Sequence, residues 1–151
     1  MKRLASLVLM VAFAGCGSDH TQQTGPTGKW KLSVESQDQT TTFMTLDGTF
    51  IRTGNTVTAQ NGSFSGIGNF SHPSLCLFPY PAFFSNGIVA TNQFSGAFAV
   101  TSTPFPPSEV ITFSATLASD GKSLKGTFNT SGGDICFDTS GIGVIVGSQV
   151  Q

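Results

Sequence analysis

Ser119 and Lys122 stand three residues apart, the spacing at which a lysine can deprotonate a serine nucleophile when both project from one face of a helix. Between them lies Asp120-Gly121, a turn dipeptide, so the pair reads as part of a hairpin turn and no acylation chemistry is expected. The imidazole bases His20 and His72 fall in a polar stretch and before Pro73, with no carboxylate spaced to orient either. Gly141-Ile142-Gly143 lacks the third glycine of a dinucleotide loop and reads as a glycine-rich strand. Asp120, Asp134 and Asp138 do not have the spacing of a calcium-binding EF-hand loop. Cys76 and Cys136 are isolated, with no histidine pair to complete a zinc site. The chemistry-bearing residues therefore predict no enzyme, no cofactor and no metal.

Cys16 has a different context. A basic start, Met1-Lys2-Arg3, leads into the apolar run Leu4 to Ala14, too short to span a bilayer, and then into Gly15-Cys16. Phe13-Ala14-Gly15-Cys16 resembles the lipobox of bacterial lipoproteins. That resemblance implies a signal peptide over 1–15, cleavage before Cys16, lipidation of that cysteine and a lipid anchor in the cell envelope. An outer-membrane site on the periplasmic or surface face is expected. Residues 16–27 are polar, contain Gly25-Pro26 and read as a tether, leaving 28–151 as one domain.

Removing the fifteen signal residues leaves 136, a length for a single core, with a net charge of −3. No basic patch exists for a phosphate backbone, so nucleic acid is excluded as a partner. Charged residues make up only 10% of the chain, while it holds 18 Gly and 14 Phe, which disfavours helices and favours strands.

Period-two alternation is clearest at Ile111, Phe113, Ala115 and Leu117 against Thr112, Ser114 and Thr116. The same reading places strands near 29–34, 41–52, 56–66, 83–90, 94–101, 110–117, 123–128 and 142–149. The turns at 53–55, 91–93 and 118–122 are short, whereas the connections near 35–40, 71–82, 102–109 and 129–141 are longer. Antiparallel succession puts the short turns at one end and the longer connections at the other. The first and last strands can then pair, so the fold class expected is all-β: a small antiparallel up-and-down barrel of about eight strands, with a β-sandwich as the alternative. The same parity places Cys76 and Cys136 at one end, and in an exported compartment they are expected to form a disulfide. A loop of that length would stabilise the fold by up to roughly 4 kcal/mol.

The stretch 71–87 gathers Phe78, Tyr80, Phe83 and Phe84 among prolines, and parity sets it beside Phe105. Exposed, these rings would form a docking surface for a small apolar ligand or a partner protein; turned inward, they would plug the barrel. The opening Gly28-Lys29-Trp30 resembles the Gly-x-Trp start of lipocalins and of avidin-like barrels. It carries neither a late arginine nor further tryptophans, so Trp30 is expected to cover the base of the core. More broadly, this opening, Thr53-Gly54-Asn55-Thr56-Val57, the run Ser119 to Phe128 and Ser131-Gly132-Gly133 with Cys136 resemble small uncharacterised lipoproteins of acidobacterial type. That family implies a compact envelope domain and no particular activity. The expectation is a monomeric, non-catalytic, lipid-anchored protein, with a purely structural lipoprotein as the alternative and a hydrolase as a remote one.

Overall fold

The computed structural model describes residues 25–68, 80–100, 109–131 and 141–151. Nine strand segments follow in order: β1 (Gly28–Glu35), β2 (Thr42–Thr53), β3 (Thr56–Ala59), β4 (Ser63–Gly68), β5 (Tyr80–Ala90), β6 (Gln93–Val100), β7 (Glu109–Leu117), β8 (Ser123–Ser131) and β9 (Ile142–Gln149). All pairings are antiparallel and join segments in chain order, with β3 and β4 sharing one position, and β1 closes the ring by pairing with β9, Trp30 opposite Gln149 and Glu35 opposite Val144. The result is a closed eight-position antiparallel barrel with one extra strand segment. Closure leaves no open edge to the sheet among the described residues and decides against the sandwich.

The extra segment arises inside the third position, where one strand over 56–66 was expected. There β3 and β4 both pair with β2 on one side and β5 on the other. Between them Gln60–Gly62 form a single 3-10 turn, with Asn61 at φ 59° and Gly62 at φ 76°. Asn and Gly tolerate the left-handed region, so this dipeptide breaks the strand at little cost. The neighbouring strand answers with its own irregularity: β5 bulges between Ser85 and Ile88, and Asn86 lies at φ 55°. Bulges in adjacent strands bend the wall and help it curl into a small barrel.

A second difference lies at the start of β5, which begins at Tyr80 rather than near 83. Pro81, within the connection expected near 71–82, is accommodated opposite Ser65 of β4, beyond Ala82, where the described β5 to β6 pairing ends.

Inward-facing side chains recur at every second residue and fill the interior. Phe50 is the hub, with ring centroids 4.7 Å from Phe64, 5.1 Å from Phe84, 5.2 Å from Phe94 and 6.2 Å from Trp30. Phe98 and Phe113 stack at 5.7 Å, and Phe84 reaches Phe98 at 5.0 Å. Leu32, Val34, Met44, Leu46, Ile111 and Ile145 complete the packing without solvent exposure. Such offset and edge-on ring pairs each contribute about 0.5–1.5 kcal/mol beyond burial alone. Room for the rings comes from glycine: a Cβ on Gly87 or Gly96 would stand 2.6 Å from the Phe84 ring, on two sides of it.

The polarity of this barrel is apolar inside and largely hydroxyl or charged outside, the reverse of a transmembrane barrel with a wet lumen. Both termini of the barrel and its three short turns lie at one end, and the strand ends joined by the four longer connections lie at the other.

Candidate functional site

At the short-turn end the tight loops have simple causes. Gly54 (φ 62°) and Thr91 (φ 57°) each open a two-residue hairpin, between Thr53 and Thr56 and between Ala90 and Gln93. In the 118–122 turn Gly121 sits at φ 67° and donates its N–H to the Ala118 carbonyl, while the Asp120 carboxylate accepts the Lys122 N–H at 2.9 Å. Ser119 and Lys122 are thus members of a hairpin turn, as the Asp-Gly pair implied. The geometry lacks the shared helical face that a serine–lysine couple needs.

Trp30 covers the core at this end. Its indole is 1% exposed, its Nε1–H donates to the Thr27 carbonyl at 3.0 Å, and its ring meets Phe50 edge-on. The C-terminal residues seal the same corner: Val150 donates its N–H to the Lys29 carbonyl, and the Gln149 amide donates to Thr27. A shallow recess of about 280 Å³ lies beside it, between Lys29, Trp30, Asp47, Gly48, Thr49 and Val150.

The opposite end carries the longer connections. The one from β1 to β2 is organised by Asp38, whose carboxylate accepts from the Ser36 hydroxyl at 2.6 Å and from the N–H and hydroxyl of Thr40. Those hydrogen bonds, that of Ser36 foremost, hold the carboxyl below its ordinary value. Gln39, at φ 57°, accepts from the Lys125 ammonium at 3.0 Å and donates to the Glu35 carboxylate at 3.1 Å. This strap crosses β9, which lies between β8 and β1, where Val144 and Val146 are half-buried.

The connections at 69–79, 101–108 and 132–140 leave from this same end. Cys76, Cys136, Phe78 and Phe105 fall on them, outside the described residues, as do Cys16, His20, His72, Asp134, Asp138 and the side chain of Tyr80. Of the five aromatic residues read as a docking loop, the structure therefore places two. Phe83 and Phe84 are consecutive on β5 and point to opposite faces. Phe83 is 47% exposed, whereas Phe84 is 8% exposed and ringed by Phe50, Phe64, Phe94, Phe98 and Phe113. Phe84 is thus a core residue and not part of a binding surface. The correction follows from strand alternation, because extending β5 back to Tyr80 puts both residues within a strand.

No group of three metal-ligating side chains occurs among the described residues. A second shallow groove of about 430 Å³ runs over Thr112, Ser114, Thr127, Asn129 and Ile142 on the outside of β7 to β9, floored by Phe113 and Phe128. Gly143 reads as expected, as a strand glycine: a Cβ there would press on the Phe128 ring and the Glu35 carbonyl.

One signal present in the sequence passed unread. No Asp, Glu, Lys or Arg occurs between Arg52 and Glu109. In the barrel this run supplies β3, β4, β5 and β6, so one continuous wall carries no formal charge. Four of the large apolar side chains exposed outside the barrel belong to this wall and its border: Ile51 on β2, Ile67 on β4, and Phe83 and Ile88 on β5.

No family model matches the chain, and neither the curated proteins nor the solved structures searched contain a match. The class defined by the fold is a small, closed, up-and-down β-barrel with a solid aromatic core.

Proposed function

We propose that this protein is a lipid-anchored, non-catalytic component of the bacterial cell envelope that holds a partner protein through the longer connections at the end opposite its tether. The observation that carries the reading is the division of labour between the two ends. The tether side has the barrel's termini and three turns of two to five residues, and four connections of six to eleven residues leave from the far side. A ring-filled interior joins the two ends as a rigid stand, and it favours a partner at the rim over an apolar ligand inside. Cys16 supplies the anchor, and a Cys76–Cys136 disulfide would tie two of the far-side connections together. Phe78, Tyr80 and Phe105 are the proposed aromatic contacts for that partner.

The burial of Phe84 favours a second reading, in which the barrel is a purely structural envelope lipoprotein. Native mass spectrometry of the protein extracted from its own envelope separates the two. A stoichiometric partner protein, lost when 102–107 is replaced by a Gly-Ser linker, supports the proposal. A bare lipidated monomer supports the structural reading, and a retained small molecule returns the ligand.

A further inference from the structure

The wall formed by β3, β4, β5 and β6 differs from the rest of the barrel in a way that folding does not require. The exposed side chains around it are hydroxyls, amides and apolar groups, with Ile67 52% exposed, Phe83 47%, Ile88 55% and Ile51 at its border 48%. In the ring of eight positions β5 lies directly opposite β9, whose flanking strands bear Lys29, Lys31, Glu35 and Lys125. Formal charge is thus kept off β3 to β6 and stands on the rest of the cylinder. The nearest charged residues mark the borders of the wall, Asp47 and Arg52 on β2, opposite Ser65 and Val57, and Glu109 on β7, opposite Val100. The apolar residues run the length of the wall, from Ile67 and Phe83 toward the long-connection end to Ile51 and Ile88 toward the short turns.

We infer that this uncharged wall rests side-on against the neutral headgroup and upper acyl region of the bilayer in which the chain is anchored. The inference builds on the lipid anchor proposed above. Carrying an ionised side chain into that region is costly, so only a wall without charges can approach it closely, and burial of the half-exposed Ile and Phe side chains rewards the approach. Shape points the same way. A convex barrel wall would meet a second copy along a narrow strip, well short of the roughly 800 Å² per partner of a stable protein interface, whereas a lipid surface yields to it. The geometry of attachment permits it as well. Residues 25–27 are held on the barrel, with Pro26 buried and the Thr27 carbonyl bonded to Trp30 and Gln149. The reach therefore comes from residues 17–24, at most about 29 Å when extended, and strands of eight to eleven residues tilted in a small barrel span about 20–28 Å of its axis. Anchored at the short-turn end, the barrel can therefore lie down. Its long connections would then point along the membrane, toward a neighbour that is itself membrane-attached.

The test uses the full lipidated chain, isotope-labelled at isoleucine methyls, in phosphatidylcholine nanodiscs containing a spin-labelled lipid. Ile51, Ile67 and Ile88 report on the wall, Ile142 (61% exposed) on the opposite side, and buried Ile111 and Ile145 on the fold. The expected result is loss of most signal intensity at Ile51 and Ile67 with Ile142 retained, and recovery of Ile51 and Ile67 in the I88K variant, whose fold the buried methyls verify. Equal loss on both sides overturns the inference, as does I88K behaving like the parent. Changes at the wall that follow protein concentration without lipid mean a second copy. Changes that need added envelope extract mean a protein partner. Either replaces the membrane as occupant. The mass of the Cys16 peptide is read separately. If it is unacylated, the anchor reading fails by itself, and the same measurement with an N-terminally His-tagged chain on chelating lipid still decides the wall.

Discussion

Replacing Phe50 by alanine tests whether the barrel is solid. Phe50 is 1% exposed and touches Trp30, Phe64, Phe84 and Phe94, so no single neighbour can collapse into the space it leaves. Removing the ring opens a void on the order of 100 Å³, which at about 24 cal/mol per Å³ costs about 2.4 kcal/mol, and the lost transfer energy adds about 2 kcal/mol. A total near 4–5 kcal/mol lies at the upper end for such changes. With an unfolding entropy of about 2.1 cal/mol/K per residue over a domain of about 120 residues, Tm falls by roughly 16–20 °C. The void is apolar and should stay dry, so benzene is expected to enter it and at about 100 times its Kd to restore about 2.7 kcal/mol, or roughly 10 °C. Thermal unfolding by circular dichroism, with and without benzene, provides the assay; F50L supplies a milder variant if F50A does not fold. Benzene stabilisation of the unaltered protein would refute a filled interior and restore an internal apolar ligand. A loss below about 1 kcal/mol for F50A would refute the packing itself.

Thr91 is β-branched yet sits at φ 57°, so T91G is expected to stabilise the β5 to β6 hairpin by about 0.5–1 kcal/mol, read as a raised denaturant midpoint at constant m-value. The proposed Cys76–Cys136 disulfide predicts one linked peptide pair in a non-reducing mass map and a lower Tm after reduction; free thiols at both positions would contradict it. Asp38 has a lowered pKa, so its hydrogen bonds stabilise the folded state above the ordinary carboxyl value of 3.8, and that contribution fades as pH falls through the lower folded value. D38A should accordingly be less stable than the parent at neutral pH, with the difference closing below pH 3.8 in urea titrations.

Most of the barrel was legible because alternation is a local property. Ile111 to Leu117 announces β7 without help from any other strand, and the strand expected near 83–90 is the body of β5. The pairing of β1 with β9 is remote in sequence, and only the even number of strands hinted at it. Asn61-Gly62 hid the break in the third position, because a turn dipeptide within an otherwise alternating run also fits a continuous strand with a polar residue. Pro81 concealed the start of β5 and made Phe83 and Phe84 look like one cluster, although strand geometry sends them to opposite faces. The uncharged wall was written in the chain as a run without Asp, Glu, Lys or Arg. It gains meaning only when closure brings β3 to β6 side by side. The proposed docking role has no such mark in the sequence, because docking surfaces are made of ordinary residues in unusual places, and their types alone carry no signature.

The central claim, a solid barrel tethered to the envelope by lipid, is tested most directly by the intact mass of the mature protein isolated from its own membranes. The account predicts a chain lacking residues 1–15, with Cys16 as its first residue carrying diacylglycerol-linked acyl chains. A chain that retains Met1 to Gly15, or one that begins elsewhere with an unmodified Cys16, would contradict it.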